Sequence, residues 1–503
     1  MAKGTADKEE KEAIKVQHSK GKLSAKERLD LLLDKNTFVE LNAGMELRSH
    51  DFGLQEKKKE GDGVITGYGK INGKPVCVFA QDFIFMGGSM GEVHNRKIAA
   101  IQEHALKIGC PIIGLFDSGG ARIQEGISSL DAGGSIFRNN TLSSGVIPQI
   151  SIILGPCAGI AVYSPALTDF VFMAKKISYM FITGPNVVKA ITGENIDFDG
   201  LGGPIAHSEK SGVAHFIAEN EKECFETVKL LLSYLPQNNM ENAPYIATKD
   251  SYDRQNNKLK DIVPREDKKS YDVKEVIEEV VDRNTFLEIQ PLYAQNAVVG
   301  LARLNGQSIG IVANQPKILA GCLDINSSNK IARLVRLCDS FNIPIINFVD
   351  VTGYLPGVEQ EHNGIIRQGA KILYAYSEAA VPKISLIMRK AYGGAYIALA
   401  SKQMGYDKVI AWPNSEIAVM GAEQAVNIIY RKEIDADKSG KVKKAKIGEY
   451  SEKFLNPQEA AKYGQIDMII EPKDTRKSLI QCLDMLLSKR ERRPAKKHGN
   501  IPL

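Results

Sequence analysis

Glycine-rich segments in both halves of the 503-residue chain could do chemistry without an ionisable side chain. In the first half, residues 117–122 read Asp-Ser-Gly-Gly-Ala-Arg and residues 155–161 read Gly-Pro-Cys-Ala-Gly-Ile-Ala. In the second half, residues 389–395 read Arg-Lys-Ala-Tyr-Gly-Gly-Ala. Such a segment predicts a turn between a buried strand and a helix. The first N–H groups of a helix have no partner, so the turn can hold a phosphate or a developing enolate oxygen.

The same turns recur because the second half of the chain repeats the first. At an offset of 233, residues 64–120 align without a gap over 297–353, and at an offset of 234 residues 159–161 align over 393–395. This identity indicates one domain fold used twice. A glycine in an isolated turn often serves only close strand–helix packing, but the recurrence favours a function.

The elements that must position the turns follow from the local patterns. Asn-Gly at 72–73 and at 305–306 predicts a type I′ hairpin in each copy. A helix is expected at 94–108, and continuous apolar runs at 111–116 and 148–154 predict buried strands. Buried strands that alternate with helices predict an α/β fold with a largely parallel sheet.

The repeat predicts two domains, at 1–240 and 265–503, joined by a polar linker at 237–269. The charged residues 1–20 are expected to be frayed or helical. Ser24 and Glu27 predict a helix start of the capping-box kind. The first copy carries about fifteen extra residues near 51–61, because the offset between matching segments falls from 248 to 233. A lysine-rich segment at 437–446 is interpreted as a solvated loop.

Composition and motifs exclude several functions. A net charge of +5 gives no support for nucleic-acid binding, and the longest apolar stretch, 146–167, is broken by prolines and glycines and is no membrane span. The seven cysteines form no C-x-x-C pair, and no secretory signal precedes them, so we expect reduced thiols and a cytoplasmic protein.

Other catalytic motifs find no match. The sequence has no nucleotide P-loop, no G-x-S-x-G elbow and no H-E-x-x-H pair, so no metal site is expected. His362 has two interpretations, a catalytic residue or a hydrogen-bonded structural histidine, and the second is preferred. Arg122 and Glu125 have two interpretations: contact with substrate, or an ion pair between i, i+3 neighbours. A reaction that needs only backbone donors is one that runs through enolates, and thioesters are its natural substrates.

These residues resemble a known family, the carboxyltransferase (β) subunits of biotin-dependent acyl-CoA carboxylases of the propionyl-CoA/acetyl-CoA type. The resemblance covers the chain from about Gln17 to Leu503. Its strongest parts are the segments 61–64, 117–126, 155–159, 312–316, 389–396 and 411–413.

The resemblance implies two tandem crotonase-like (ClpP/crotonase superfamily) domains and a homo-hexamer built from two trimers. It implies an active site between the first domain of one subunit and the second domain of another. There the biotin anion takes the α-proton of the acyl-CoA, and the enolate attacks CO₂ released from carboxybiotin. Carried over, the N–H pairs that stabilise the two oxyanions fall at Gly159-Ile160 and Gly394-Ala395.

The same resemblance implies the residues that contact substrate. These are Ser118, Gly119, Gly120, Ala121, Arg122, Ala161, Tyr163, Gly353, Gly393, Tyr396 and Ile397.

Two positions depart from the family pattern. Ile160 stands where the family usually has glycine; its N–H survives, but its branched side chain alters the local geometry or narrows the entrance. Ile397 stands where many propionyl-preferring relatives carry aspartate. It either shapes an altered acyl pocket, one accepting acetyl and propionyl chains alike, or only packs.

The sequence also predicts partners. It contains no Met-Lys-Met biotinylation motif and no ATP-grasp-like region, so carboxybiotin must come from a biotin carboxyl carrier protein loaded by a biotin carboxylase. A decarboxylase or transcarboxylase that runs the reverse half-reaction is the nearest alternative. A non-catalytic assembly scaffold, suggested by Ile160, is an alternative of another class.

Overall fold

The computed structural model describes residues 2–266, 269–437 and 439–503. The chain divides into two compact units, one ending at Glu241 and the other beginning at Asn242. Within the described residues, no helix combines the length and the apolar composition needed to cross a bilayer.

The first unit is a mixed sheet with helices on its faces. Its strands are β1 Val39–Leu41, β2 Val64–Ile71, β3 Lys74–Gln81, β4 Ile112–Ser118, β5 Gln149–Ala158, β6 Phe170–Ala174, β7 Tyr179–Phe181 and β8 Phe216–Ala218. Its helices are α1 Ala2–Ser19, α2 Ala25–Leu32, α3 Glu92–Ile108, α4 Ile127–Ser143, α5 Tyr163–Leu167, α6 Pro185–Thr192, α7 Phe198–Gly202 and α8 Glu221–Tyr234. The strand order is β1-β2-β3-β4-β5-β6-β8, with β7 paired to β5, and all pairs from β3 onward are parallel.

The second unit repeats this order. Its strands are β9 Leu287–Ile289, β10 Ala297–Leu304, β11 Gln307–Asn314, β12 Ile345–Val351, β13 Lys383–Tyr392, β14 Lys408–Ala411, β15 Glu416–Ala418 and β16 Met468–Ile469. Its helices are α9 Leu259–Ile262, α10 Val273–Val280, α11 Ile325–Ser340, α12 Val358–His362, α13 Ile365–Glu378, α14 Gly393–Ala400, α15 Ala422–Ile429, α16 Arg431–Ala436, α17 Lys441–Phe454, α18 Pro457–Lys462 and α19 Thr475–Leu486. The order β9-β10-β11-β12-β13-β14-β16, with β15 paired to β13, matches the first unit strand for strand.

The predicted hairpins are present in both units. Both residues of Asn72-Gly73 and of Asn305-Gly306 have positive φ, as a type I′ turn requires. The carboxylates of Asp34 and Asp282 accept hydrogen bonds from the N–H groups of the two turns. The same local sequence therefore starts each sheet in the same way.

The cores lie where the apolar runs predict them. All seven residues of β4 and all seven of β12 are buried. In the first unit, helix α3 contributes Ile98, Ile101 and Ala105 to the same core as β4. The predicted capping box is also found, with the Ser24 side chain and Glu27 satisfying each other's backbone N–H groups at the start of α2.

Two expectations are corrected. Much of the segment predicted as a linker packs on the second unit, because Arg254 donates to the carbonyls of Glu279 and Val281, and Asn256 bonds Lys473 and Glu279. Part of the segment predicted as a solvated loop forms the start of α17, since the lysines at 441–446 favour helix when acidic residues lie nearby.

A buried lysine holds the loop before the hairpin in each unit. Lys97 donates to the carbonyls of Gly61 and Val64, and Lys330 donates to those of Gln290, Tyr293 and Ala297. The two lysines belong to the identical Lys-Ile-Ala triplets of the repeat. Burial lowers the pKa of Lys97 to about 8 and that of Lys330 to about 7.

The position of Lys330 predicts a pH dependence of stability. The unfolded chain keeps this proton up to about pH 10, whereas the folded chain releases it near pH 7, so unfolding takes up a proton between these values. The contribution of Lys330 to the free energy of unfolding therefore rises with pH between about pH 7 and pH 10. We expect the Tm of the wild type, relative to that of Lys330→Met, to increase from pH 7 to pH 9.5. A difference in Tm that does not change with pH would contradict the assignment.

Candidate active site

The predicted turns lie where one strand changes its neighbour. Strand β5 pairs with β6 through Ile153 and with β7 from Pro156 onward. On its other side, Phe116 of β4 pairs with Ile153 and Ser118 pairs with Cys157. Three residues of β5 therefore face the single residue Asp117. Such a bulge bends a strand and redirects its end.

The second unit contains the same bulge. Val349 of β12 pairs with Ile387 and Val351 pairs with Ala391, so residues 388–390 face Asp350 alone. Strand β13 pairs with β14 before the bulge and with β15 from Lys390, the last residue of the bulge, onward. In both units the redirected strand end leads directly into a helical turn.

The helical turns expose backbone donors. Gly159 follows β5 with φ +57° and opens a 3-10 turn that continues into α5; Gly393 follows β13 with φ +56° and opens α14. Among the described residues, no side chain caps either N-terminus. The first N–H groups of each turn are therefore available to a ligand, and the partial positive charge of the helix start adds to them.

The two turns correspond at Gly159 and Gly393, because β5 and β13 align at an offset of 234. The predicted donor pairs, Gly159-Ile160 and Gly394-Ala395, are therefore shifted by one residue relative to each other. The N–H groups of Ile160 and Gly394 occupy equivalent positions, and each belongs to the predicted pair of its own unit. Whichever of the two pairs is moved by one residue to match the other unit, these two N–H groups remain predicted donors.

The side chain of Ile160 turns toward α4 and packs with the first core. A Cβ atom on Gly133 of α4 would lie 2.5 Å from the Ile160 Cδ1 atom, so the missing side chain at Gly133 makes the space that Ile160 fills. The branched side chain of Ile160 thus fits beside α4, and the backbone N–H of Ile160 remains one of the first N–H groups of the turn.

In the second unit, different residues fill the space between the turn and the neighbouring helix. Gly394 has no side chain, and the Tyr354 ring lies 3.7 Å from the position a Cβ there would take. The same ring covers Gly369 of α13 and donates its hydroxyl to the Gly369 carbonyl. By alignment Tyr354 corresponds to Ala121, and Gly394 corresponds to Ile160. The first unit therefore combines a small residue in the loop with a large one in the turn, and the second unit combines a large residue in the loop with a small one in the turn. Burial raises the pKa of Tyr354 to about 12, so its phenol stays protonated at neutral pH.

The loop after β4 is fixed by its backbone. Gly119 donates its N–H to the Gly87 carbonyl, and Gly120 donates to the Ser118 hydroxyl. Gly120 has φ +102°, and a Cβ there would lie 2.9 Å from the Ala158 carbonyl oxygen. Glycine is required at this point by both its conformation and its neighbour.

Arg122 forms the ion pair that the sequence offered as one of two interpretations. Its guanidinium is fully buried and bonds Asp62 at 2.6 Å and Glu125 at 2.8 Å. Glu125 also accepts from the N–H of Glu92 at the start of α3. The structure thus buries the Arg122 side chain away from the surface of the turn, and its backbone N–H donates to the Met90 carbonyl.

The remaining predicted residues differ in exposure. Tyr163, the first residue of α5, and Ile397, the fifth residue of α14, are 48% and 47% exposed. Ala161 and Ala395 are fully buried. Gly353, with φ +144°, has open space around it, and Tyr396 is half-buried. His362 ends α12 with an exposed side chain.

Sequence reasoning missed the partners of the two bulge carboxylates. Lys22 and Arg28 bind Asp117, whereas Tyr271 and Arg389 bind Asp350. The one available signal was an aspartate at the same place in both copies. Among the described residues, no group of three or more His, Cys, Asp or Glu side chains is arranged to hold a metal ion.

The contact between Ile160 and Gly133 predicts a coupled stability effect. Gly133→Val should destabilise the protein by about 1–3 kcal/mol because the core there is filled. Adding Ile160→Ala should recover part of the loss, with a coupling energy of about 1 kcal/mol in a double-mutant cycle of unfolding free energies. Strictly additive effects of the two substitutions would show that the side chains do not share this space.

Comparison with known proteins places these features in a family. The carboxyl transferase domain model matches residues 16–501. The α subunit of methylmalonyl-CoA decarboxylase from Veillonella parvula is 55% identical over 490 residues, covering 97% of this chain and 95% of that protein. The carboxyltransferase subunit of propionyl-CoA carboxylase from Haloferax mediterranei is 55% identical over 491 residues, with the same coverage.

A solved structure extends the match to the fold. Transcarboxylase 12S, described as a hexamer and determined with methylmalonyl-coenzyme A and methylmalonic acid bound, superposes with a TM-score of 0.96 at 50% identity. The match covers 100% of this chain and 98% of that one. The predicted pair of tandem crotonase-like domains is confirmed. The chain belongs to the carboxyl transferase domain family.

Proposed function

We propose that this chain is the carboxyltransferase subunit of a biotin-dependent acyl-CoA carboxylase. It moves a carboxyl group from carboxybiotin to the α-carbon of a short-chain acyl-CoA, propionyl-CoA or acetyl-CoA, and gives methylmalonyl-CoA or malonyl-CoA. The observation that carries the proposal is the pair of uncapped helix starts at equivalent places in the two units. The relatives' names agree with this chemistry.

Open space near the turns supports the binding of the two ligands that the reaction requires. A Cβ atom on Gly159 would have nothing nearer than the Ile182 carbonyl at 3.9 Å, and one on Gly353 would have nothing within 4 Å. Open space therefore borders the Gly159 turn within the first unit. Within the second unit, open space borders the loop that contains Gly353. Carboxybiotin, when bound, supplies the carboxyl group, and its ureido nitrogen accepts the α-proton.

The chain contributes electrostatic stabilisation. We assign the N–H groups of Gly159-Ile160 and Gly394-Ala395 as donors to the two oxyanions, one on the thioester enolate and one on the ureido ring. A preorganised donor of this kind lowers a barrier by about 3–4 kcal/mol. Neutral amides do so without titrating. No side chain of the turns has to act as acid or base.

The proposal extends to the residues that contact the substrates. We propose that the backbone of 118–122, together with Ala161, Tyr163, Gly353, Gly393, Tyr396 and Ile397, borders the acyl-CoA and biotin sites. The glycines at 119, 120 and 353 let a ligand approach the main chain closely.

The partners follow from the same chemistry. We propose a homo-hexamer, a dimer of trimers, that works with a separate biotin carboxylase and a biotin carboxyl carrier protein. Reconstitution with these subunits, an acyl-CoA, ATP and bicarbonate as the source of the carboxyl group should give acyl-CoA carboxylation, whereas this chain alone should give none.

The reverse half-reaction is a second candidate, because a decarboxylase subunit and a carboxylase subunit are equally similar to this chain at 55% identity. The purified chain should carboxylate free biotin with methylmalonyl-CoA or malonyl-CoA as donor in either case. Absence of that activity in an intact oligomer would favour the assembly scaffold. Reconstitution with candidate partner subunits then decides the physiological direction.

Gly394 tests the second turn. A Cβ atom on Gly394 would already contact the Tyr354 ring at 3.7 Å, so the two methyl groups of a valine would crowd the space beside the turn. We expect Gly394→Val to abolish methylmalonyl-CoA-dependent biotin carboxylation while the oligomer persists in gel filtration. Gly448→Val, in α17 with open space around it, is the matched control and should stay active. Activity retained in Gly394→Val would remove this turn from the mechanism.

Ile397 tests the acyl pocket. It is a half-exposed residue of α14, three positions after the proposed donor Gly394. We expect Ile397→Asp to lower kcat/KM for butyryl-CoA relative to propionyl-CoA by about tenfold or more, since a pocket discriminates a methylene by that order. Ile428→Asp, at another exposed isoleucine, is the control. Unchanged relative kcat/KM for acetyl-, propionyl- and butyryl-CoA would show that Ile397 only packs.

A further inference from the structure

We propose that Asp117 and Asp350 are positioning residues of the two turns, each fixing the three-residue bulge that sends its strand end into the turn. Neither side chain reaches a substrate, because both are buried. The catalytic part of the claim rests on the proposed function, whereas the structural part does not.

In the second unit the carboxylate of Asp350 bonds the bulge directly. One oxygen accepts from the N–H of Lys390 at 3.2 Å, and the other accepts from Arg389 Nε at 3.0 Å. Both donors belong to the three residues that face Asp350. Tyr271 adds a third bond, from its hydroxyl at 2.9 Å. Lys390 also begins the pairing with β15, two residues before the strand ends.

In the first unit the carboxylate of Asp117 fills the bulge. A Cβ atom on Gly155 would overlap the Asp117 carboxyl group, so only glycine lets the strand pass it. Arg28 joins the two sides, donating to Asp117 Oδ2 at 2.9 Å and to the Leu154 carbonyl at 2.7 Å. Lys22 Nζ adds a bond at 2.8 Å.

The two units keep the carboxylate and exchange the cation. By alignment Gly155 corresponds to Arg389, so the second unit supplies its cation from the bulge itself. The first unit has glycine at that position, and the cation that binds its carboxylate is Arg28 of α2. Arg28 also donates two hydrogen bonds to the Glu221 carboxylate. Two different sets of partners converge on one aspartate position. The feature they have in common is the carboxylate at the bulge.

Loss of the carboxylate should release the bulge and displace the amides that follow it. A displacement of about 1 Å in a reactive geometry costs about 100-fold in rate. The turn N–H groups act mainly on the transition state, so kcat should fall while KM for the acyl-CoA changes little.

The experiment compares Asp350→Asn and Asp117→Asn in the full-length oligomer by hydrogen exchange and kinetics. We expect amides at 388–396 to exchange at least tenfold faster in Asp350→Asn, with 154–162 unchanged, and the reverse pattern in Asp117→Asn. Methylmalonyl-CoA-dependent carboxylation of free biotin should lose about 100-fold in kcat, with KM within threefold. Tyr271→Phe, which removes one bond from Asp350, should fold and give a smaller loss in the same direction.

Asp282 supplies the matched control. It is also buried, accepts from two backbone N–H groups and pairs with Arg476, but it holds a hairpin. Asp282→Asn should lower Tm and leave kcat within threefold.

Unchanged exchange at the turns, unchanged kcat in both aspartate variants, or an equal loss of kcat in Asp282→Asn would each overturn the proposal. An inactive wild type would refute the proposed function alone, because the exchange result still decides whether the carboxylates hold the bulges.

Discussion

The proposed site depends on unpaired main-chain amides at the start of a helix. These donors exist only if a strand ends and a helix begins within one or two residues, which the chain achieves with glycines at φ near +57°. A neutral N–H group does not titrate and, held by the sheet, needs little reorganisation when charge develops on a ligand. The surrounding fold serves to keep two such turns rigid and uncapped.

Duplication supplied two turns, and divergence adjusted each of them differently. Ile160 fits beside Gly133 in one unit, and Tyr354 takes the comparable space beside Gly369 in the other. A large side chain thus occupies the space beside each turn, although it comes from a different residue in each unit. The same holds for the bulges, where the carboxylate is constant and its cations come from different elements. Two turns that started alike can in this way serve two different ligands.

Much of the fold could be predicted from the sequence because its determinants are local. The Asn-Gly turns, the capping box at Ser24 and the continuous apolar strands each depend on residues a few positions apart. The turns themselves were found from glycine spacing and the repeat. The partners of Asp117 were not, because Arg28 lies 89 residues away. The space for Ile160 was missed for the same reason, since it comes from an absent side chain on another helix.

The central claim is most directly tested by a crystal structure of the oligomer with a non-hydrolysable methylmalonyl-CoA analogue and free biotin. Backbone donation predicts the thioester oxygen and the ureido oxygen each within about 3.2 Å of a turn nitrogen, with Ile160 and Gly394 among the donors. Both ligands bound away from both turns would contradict it.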